Sequence, residues 1–183
     1  MKTLFLIRHA KSDWSNPSLK DFERSLNPRG ERVAPKMGRE LLSRNVSPDI
    51  VYSSPSKRTR QTASYICEGI NYNEESILFK EEIYEASTGA LLRLINSISD
   101  DNKTAMVIGH NPSMTYLAEY LTDEILNNIP TCGVLKINFE IDSWKFVSKS
   151  TGILEWYTYP KELGLCYFGI FRSIFSGIGN DYF

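Results

Sequence analysis

The sequence predicts an α/β domain with a central, mostly parallel sheet and helices on both faces, a three-layer α/β/α arrangement. Two observations carry this prediction. Short apolar runs alternate along the chain with segments of helical periodicity, as they do in α/β proteins. Residues 4–7 and 105–108 are uninterrupted apolar runs, which is typical of strands buried on both faces of a sheet. A chain of 183 residues fits one domain with one core.

The first elements are a strand at residues 4–7 and a polar loop over 10–27. Asn27-Pro28 predicts a helix cap with proline at the first helical position. That helix should end near Asn45, and Pro35 should bend or interrupt it. Two further groups are expected to be buried: the loop anchors Trp14 and Phe22, and the helix face of Val33, Met37, Leu41 and Leu42.

The middle of the chain continues the alternation. A short strand over 49–53 leads through Ser54-Pro55 into a helix over 56–68. A third strand is predicted at 77–79, and the acidic loop 81–85 follows it. The order strand, helix, strand favours parallel pairing with crossover connections.

The last third of the domain adds two predicted helices, one buried strand and a pair of edge strands. The apolar spacing within 91–98 predicts an amphipathic helix, residues 104–109 a strand, and residues 114–121 another helix. Residues 134–139 and 144–148 are predicted to pair as a hairpin at the edge of the sheet.

The chain divides into a domain over residues 1–163 and an apolar tail over 164–183, to which we assign no role. The aromatic and aliphatic residues of the tail have a helix-like spacing. Docking of the tail on the domain is the default expectation. We therefore expect a monomer, with a dimer formed through the tail as the alternative.

Composition restricts the classes of partner. A net charge of −1 argues against a nucleic-acid binder, and no apolar stretch approaches the roughly 20 residues that cross a bilayer. Three cysteines without metal-ligand spacing indicate reduced thiols in a cytoplasmic protein. No signal-peptide cleavage site follows the first apolar run. We expect neither a metal nor another cofactor.

Both histidines of the chain follow predicted strands. Arg8-His9 comes directly after the first strand, and His110 follows the strand at 104–109. Ligands of open α/β sheets bind at the carboxyl ends of the strands. A guanidinium can hold phosphate through two hydrogen bonds, and a neutral imidazole can attack phosphorus. The sequence therefore predicts a phosphate site at this edge of the sheet.

The motifs as a set resemble a known family. Arg8-His9, the Ser-Pro-x-x-Arg-x-x-Gln-Thr-Ala pattern at 54–63 and the Gly-His-Asn-Pro at 109–112 are similar to those of the histidine phosphatase superfamily. The segments 8–14 and 21–30 resemble its small SixA-type phosphohistidine phosphatases. The resemblance covers about residues 1 to 160 and implies the phosphoglycerate mutase-like fold.

The resemblance also implies roles for individual residues. His9 matches the nucleophile, and Arg8 and Arg58 match the two arginines that bind phosphate. His110 matches the second histidine, which stabilises negative charge in the transition state. Arg24 matches a third arginine of the SixA-type loop, with a phosphate or substrate contact.

Two of these matches involve a choice between neighbouring residues. Arg58 is preferred to Arg60 because it lies four residues before Thr62, on the same helix face. The family places a carboxylate in the loop after the third strand, where it acts as a general acid. Glu82 matches it best, and Glu85 is the competitor.

The resemblance implies a metal-independent phosphatase that forms a phosphohistidine intermediate on His9. Its substrate would be a phosphohistidine protein or a small phosphate monoester. Two alternatives remain open: a phosphomutase, and a module that binds a phosphorylated ligand without turnover.

Overall fold

A computed structural model describes residues 1–165, so the prediction for the tail at 164–183 lies almost wholly outside the described residues. Six strands in the described part form one sheet. In chain order they are β1 (Lys2–Arg8), β2 (Ile50–Ser53), β3 (Leu78–Phe79), β4 (Thr104–Gly109), β5 (Val134–Phe139) and β6 (Gly152–Thr158). Their order across the sheet is β3-β2-β4-β1-β5-β6.

Strands β1 to β4 are parallel to one another. Strand β5 pairs antiparallel with β1, and β6 pairs antiparallel with β5 at the edge of the sheet. In the register of the sheet, Arg8 at the end of β1 lies opposite Gly109 at the end of β4. Ser53 at the end of β2 lies opposite Ile108. The residues that follow these strands therefore emerge side by side at one edge, where both histidines are found.

Four helices in the described residues cover the two faces of the sheet, which confirms the three-layer α/β/α prediction. They are α1 (Pro28–Ser43), α2 (Lys57–Gly69), α3 (Thr88–Asn96) and α4 (Ser113–Thr122). Alternate residues of β1 enter two separate cores because successive strand side chains point to opposite faces. Phe5 and Ile7 pack with residues of α1 and α2, whereas Leu4 and Leu6 pack with residues of α3 and α4.

Helix α1 differs from its prediction in two respects. It starts as expected, with the Asn27 side chain accepting a hydrogen bond from the Gly30 N–H at 2.9 Å. It then continues through Pro35 without a break as far as Ser43, so the expected interruption is wrong. The burial of one face of α1 outweighs the single backbone hydrogen bond that proline removes. Leu42 was also expected in the core but is 44% exposed, because it lies about 100° around the helix from buried Leu41.

The predicted edge hairpin is half correct. β5 forms as expected, but its partner is β6, and the residues around Trp144 form a short 3-10 turn, Trp144–Phe146. The Trp144 side chain is fully buried, and its indole N–H donates to the Asn102 carbonyl at 2.8 Å. The Asn96 amide donates to the Trp144 carbonyl at 2.7 Å. A core contact with α3 therefore takes the place of strand pairing.

Candidate active site

A cavity of about 790 Å³ opens at the carboxyl ends of β1, β2 and β4. Its lining brings together most of the residues that the sequence singled out, together with others from two loops. Among the lining residues are Arg8, His9, Trp14, Asp21, Arg58, Tyr84, Glu85 and His110.

His9 is held in one orientation by two hydrogen bonds. Its backbone N–H donates to the Gly109 carbonyl at 3.0 Å, which ties the end of β1 to β4. Its Nδ1 lies 2.7 Å from the Ala10 carbonyl oxygen. A carbonyl only accepts, so Nδ1 carries the proton and Nε2 keeps its lone pair. The sequence could not identify this carbonyl, which belongs to the next residue.

The electrostatic surroundings keep His9 neutral. Burial lowers the pKa of His9 to about 4, and the charges of Arg58 and Arg8 act in the same direction, against the hydrogen bond to Ala10. An imidazole that is neutral at pH 7 has a lone pair available for attack. The surroundings therefore favour a nucleophile at this position.

His110 lies beside His9, with 5.1 Å between the ring centroids. Its Nδ1 is 3.2 Å from Arg58 Nη2, and its Nε2 is 2.9 Å from Ser54 Oγ. Because a guanidinium only donates, Nδ1 accepts, and the proton of the neutral ring is on Nε2. Burial, followed by His9 and Arg58, lowers the pKa of His110 to about 3.

Arg58 projects from the first turn of α2, and its side chain is only 8% exposed. Its Nη2 donates to Asp21 Oδ2 at 2.7 Å, and its Nη1 donates to the Asp21 backbone carbonyl. Arg60, by contrast, turns away: its guanidinium lies 4.0 Å from the Phe79 ring centroid, and Arg60 does not line the cavity. The preference for Arg58 on the grounds of helix face therefore agrees with the geometry.

The rest of the α2 motif ties this helix to neighbouring loops. Thr62 Oγ1 accepts from the Ala10 N–H at 3.0 Å and donates to the Arg58 carbonyl at 2.7 Å. Gln61 Oε1 accepts from the Leu26 N–H at 2.8 Å. These bonds hold the segments on either side of the cavity at a defined distance from Arg58.

Arg8 reaches the same cavity from the end of β1. Its Nη1 donates to the Ile129 carbonyl at 2.6 Å and to Asn128 Oδ1 at 3.2 Å. Its Nε is buried and has no hydrogen-bond partner. Burial lowers the pKa of Arg8, an effect that the hydroxyl of Tyr157 partly offsets. Two guanidiniums, Arg8 and Arg58, thus line the cavity that contains His9.

Arg24 does not line the cavity, unlike the other predicted arginines. Its guanidinium lies 3.7 Å from the centroid of the Trp14 ring, and its Nε is 4.0 Å from Asp21 Oδ1. Trp14 was expected to be a buried anchor but is 65% exposed, and it lines the open cavity. Arg24 therefore contacts two lining residues without lining the cavity itself. Its Nε and Nη1 are buried without a hydrogen-bond partner, and its contact with phosphate or substrate stays a prediction.

Of the two glutamates considered for the general acid, Glu85 lines the cavity and Glu82 is not among the lining residues. The choice between Glu82 and Glu85 as the general acid stays a prediction. The 3-10 turn Glu81–Ile83 buries Ile83, which leaves Glu82 exposed. The chain then turns again at Glu85, whose φ of 51° places it in the left-handed region. Both glutamates are exposed, and sequence spacing could not show which of them lines the cavity.

Two lining residues with clear contacts were missed as site residues: Asp21 and Tyr84. The Tyr84 hydroxyl donates to Asp21 Oδ2 at 3.0 Å, and the Tyr84 ring meets His110 edge-on at 5.6 Å between centroids. Phe22 meets Tyr84 edge-on at 5.1 Å. Both residues lie in loops, so no periodicity indicated that they would meet α2.

The chain belongs to the histidine phosphatase superfamily: the family model for its branch 1 matches residues 4–103. It is 31% identical over 138 residues to an uncharacterized protein of Mycobacterium tuberculosis, covering 70% of this chain and 84% of that one. Its structure is similar to that of SixA from Agrobacterium tumefaciens, with a TM-score of 0.75 and 27% identity over 87% of this chain and 98% of that one. The fold also matches the protein histidine phosphatase SixA complexed with tungstate, at a TM-score of 0.75 and 20% identity over 88% and 99% of the two chains.

This membership confirms the family and the phosphoglycerate mutase-like fold that the motifs indicated. It supports an activity of the phosphatase or phosphomutase type. Within residues 1–165, no helix is long and apolar enough to cross a membrane.

Proposed function

We propose that the protein is a phosphatase that transfers the phosphoryl group of its substrate to His9 Nε2 and then to water. The observation that carries this proposal is the hydrogen bond of His9 Nδ1 to the Ala10 carbonyl. It leaves the lone pair of Nε2 available in a cavity lined by Arg8 and Arg58. Among the described residues, no second histidine has a free ring nitrogen in a cavity lined by two arginines.

In the first step, His9 Nε2 attacks phosphorus while the bond from phosphorus to the leaving group breaks. The bonding electron pair departs with the leaving group. The transferring phosphoryl group spreads negative charge over three equatorial oxygens, and the guanidiniums of Arg8 and Arg58 stabilise that charge. In the second step, water attacks phosphorus, the P–Nε2 bond breaks, and His9 returns to its neutral form.

His110 is neutral before substrate binds, and both of its ring nitrogens are engaged. A dianionic phosphoryl group close to the ring would raise its pKa, because nearby negative charge favours the imidazolium. We therefore propose that, as the phosphoryl group enters, His110 Nδ1 takes up a proton in place of its hydrogen bond from Arg58 Nη2, and that the resulting imidazolium stabilises the negative charge of the group.

The requirement for a general acid depends on the leaving group. An alkoxide needs a proton, whereas the imidazole of a phosphohistidine can depart already protonated. We propose Glu85, the glutamate that lines the cavity, for the alkoxide case, in place of Glu82. The reaction as proposed requires no cofactor, since arginines supply the positive charge.

For the substrate class, we propose phosphohistidine on a protein, with small phosphate monoesters as the second candidate. The likeness to SixA of Agrobacterium tumefaciens extends over 87% of this chain, which supports the first candidate. Phosphoserine phosphatase 1 of Hydrogenobacter thermophilus is 36% identical over 93 residues and supports the second. A phosphoglycerate mutase of Thermobifida fusca is matched over only 37% of this chain, so the mutase alternative has less support.

The proposal is tested by labelling. Wild-type protein incubated with a ³²P-phosphohistidine protein should carry a transient, acid-labile label and release inorganic phosphate. The variant His9→Ala should do neither, whereas His110→Ala should still accept label while turning over slowly. A label that persists in His9→Ala would overturn the assignment of the nucleophile.

The same preparation distinguishes the alternatives. Hydrolysis of phosphoserine and of an aryl phosphate, measured beside the phosphohistidine protein, ranks the two substrate classes by kcat/KM. A wild-type protein that binds inorganic phosphate but hydrolyses none of these substrates would instead be a binding module.

A further inference from the structure

The geometry points to Asp21 as a positioning residue that orients the Arg58 guanidinium for phosphate, an inference that rests on the proposed function. Asp21 lies in the 3-10 turn Asp21–Glu23, within the loop between β1 and α1. It is close to Arg58 only in the folded protein, since 37 residues separate the two in sequence.

Asp21 holds one edge of the guanidinium through two different groups. Its Oδ2 accepts from Arg58 Nη2, and its backbone carbonyl accepts from Arg58 Nη1. The second N–H of Nη2 faces His110 Nδ1 at 3.2 Å. A guanidinium has five N–H donors in a rigid plane, so fixing these three fixes the direction of the remaining two. We infer that the Nε–H, which lies on the same edge of the guanidinium as the N–H that faces His110, is the donor that Arg58 offers to a phosphoryl group.

Asp21 is in turn held by its neighbours. The Tyr84 hydroxyl donates to the same Oδ2 at 3.0 Å, and the Phe22 ring packs against Tyr84. Partial burial alone would raise the pKa of Asp21, but the hydrogen bond and charge of Arg58, with the hydroxyl of Tyr84, keep that pKa below its ordinary value. The carboxylate is therefore ionised at neutral pH and suited to hold a guanidinium rather than to deliver a proton.

A competing interpretation makes Asp21 a resident anion that occupies Arg58 until phosphate displaces it. The backbone carbonyl argues against this role. It holds Nη1 whatever the carboxylate does, and it cannot leave without moving the whole turn. The hydroxyl of Tyr84 likewise holds the carboxylate in place. A group meant to be displaced would gain nothing from either contact.

The test compares Asp21→Ala with Asp21→Asn in the full chain. The asparagine keeps an oxygen that can accept from Arg58, whereas the alanine does not. Titration calorimetry with tungstate and with inorganic phosphate measures binding without turnover, and hydrolysis of an aryl phosphate measures kcat and KM separately. Asp13→Ala is the matched control, because Asp13 belongs to the same loop, bonds to Ser15 and does not line the cavity.

We expect Asp21→Ala to weaken tungstate binding about tenfold and to lower kcat/KM by a similar factor, as the loss of one charged hydrogen bond does. Asp21→Asn should stay within about threefold of wild type. The control Asp13→Ala should bind tungstate and turn over like the wild type. Unchanged or tighter binding in Asp21→Ala would show that Asp21 competes with phosphate. Equal losses in Asp21→Ala and Asp21→Asn would show that charge, not orientation, is what Asp21 supplies.

A double-mutant cycle identifies the route of the effect. If Asp21 acts through Arg58, then Asp21→Ala should cause no further loss of tungstate binding in an Arg58→Ala background. A full additional tenfold loss there would overturn the inference. Thermal denaturation checks each variant, and Tyr84→Phe, with an expected loss of about threefold, offers a milder perturbation of the same carboxylate if Asp21→Ala does not fold.

Failure of this inference can be told apart from failure of the proposed function. Tungstate binding does not depend on turnover, so the Asp21 series gives a result even if no substrate is hydrolysed. The labelling of His9 gives a result whatever Asp21 does.

Discussion

Each end of strand β1 carries a cation, and the two cations differ in how far their donors are satisfied within the protein. Lys2 at the start of the strand is fully buried, yet its ammonium donates to the carbonyls of Asp100 and Asn102 at 2.7 and 2.9 Å. It also lies 3.5 Å from the Asp100 carboxylate and 5.5 Å from the centroid of the Trp144 ring. Arg8 at the other end lines a cavity, and its Nε has no hydrogen-bond partner.

The difference separates charge that maintains the fold from charge that can bind a ligand. Three contacts satisfy the ammonium of Lys2, so it has no capacity left for a ligand. At the carboxyl end, Arg8 and Arg58 keep unused donors, and two histidines remain neutral beside them. With a rise of about 3.3 Å per residue, the two ends of β1 are about 20 Å apart. Substitutions at one end should therefore leave the other unaffected.

The largest effect on activity should come from substitutions at the carboxyl end of β1, where the cavity lies (the site end). Arg58→Ala should lower kcat/KM by about 10³-fold, because it removes a preorganised donor to the transferring phosphoryl group. Arg60→Ala, two residues away on the outer face of α2, should change it by less than about threefold. Steady-state hydrolysis of an aryl phosphate measures both. Equal losses would mean that Arg58 has no special part in binding phosphate.

The next largest effect is on stability and comes from Lys2, at the start of β1. Lys2→Met keeps most of the volume of the buried side chain but removes the donor of two buried hydrogen bonds, so unfolding should become easier by about 2 kcal/mol. Urea denaturation measures this loss, and kcat/KM should stay at the wild-type value. Lys103→Met is the control, because Lys103 also donates to the Asp100 carbonyl but from an exposed position. A loss of activity in folded Lys2→Met would contradict the separation of the two ends.

The pH dependence of stability should originate at the site end. The folded pKa values of His9 and His110, about 4 and about 3, lie below the ordinary value of 6.5. Between the folded and the unfolded pKa values, the unfolded chain therefore binds more protons than the folded protein. The free energy of unfolding should fall as the pH drops below 6.5. We expect a loss of about 2 kcal/mol for each histidine between pH 7 and pH 5.

Urea denaturation at pH 7, 6 and 5 measures this dependence. The window stays above the range in which carboxylates such as Asp21 become protonated. In His9→Ala and His110→Ala the slope should be flatter than in wild type, whereas in Lys2→Met it should be unchanged. The same slope in all four proteins would place the dependence elsewhere.

The smallest effect concerns the carboxylate at the cavity. Glu85→Gln should lower kcat for an alkyl phosphate by about tenfold, because an alkoxide leaving group needs a proton. Release of phosphate from a phosphohistidine protein should change little. Glu82→Gln is the matched control and should leave both reactions unaffected. The reverse ranking of the two variants would restore Glu82 as the acid.

The motifs on strands and helices could be predicted, and the loop contacts could not. His9 and His110 follow apolar runs, so their place at the strand ends depends only on local pattern. Arg58 and Arg60 were separated by the turn angle of a helix, which is also local. For Glu82 and Glu85 the loop conformation decided which one faces the cavity, and sequence spacing has no bearing on that.

The same distinction explains the error at the edge of the sheet. Residues 144–148 have an apolar pattern that suits a strand, but Trp144 is more stable buried beneath α3 than it would be at an exposed edge. β6 then forms eight residues later, at Gly152–Thr158. Burial of one large side chain decided the pairing.

The sequence by itself determined the family, the parallel sheet and the presence of Arg8, His9, Arg58 and His110 at one edge. These follow from short-range patterns of apolar residues and from the residue types at strand ends. Only the tertiary structure showed that Asp21 binds Arg58 and Tyr84 binds Asp21, that Arg24 packs on Trp14, and that Glu85 lines the cavity. The physical reason is that the direction of a loop side chain is set by the elements packed against it, and these are distant in the chain.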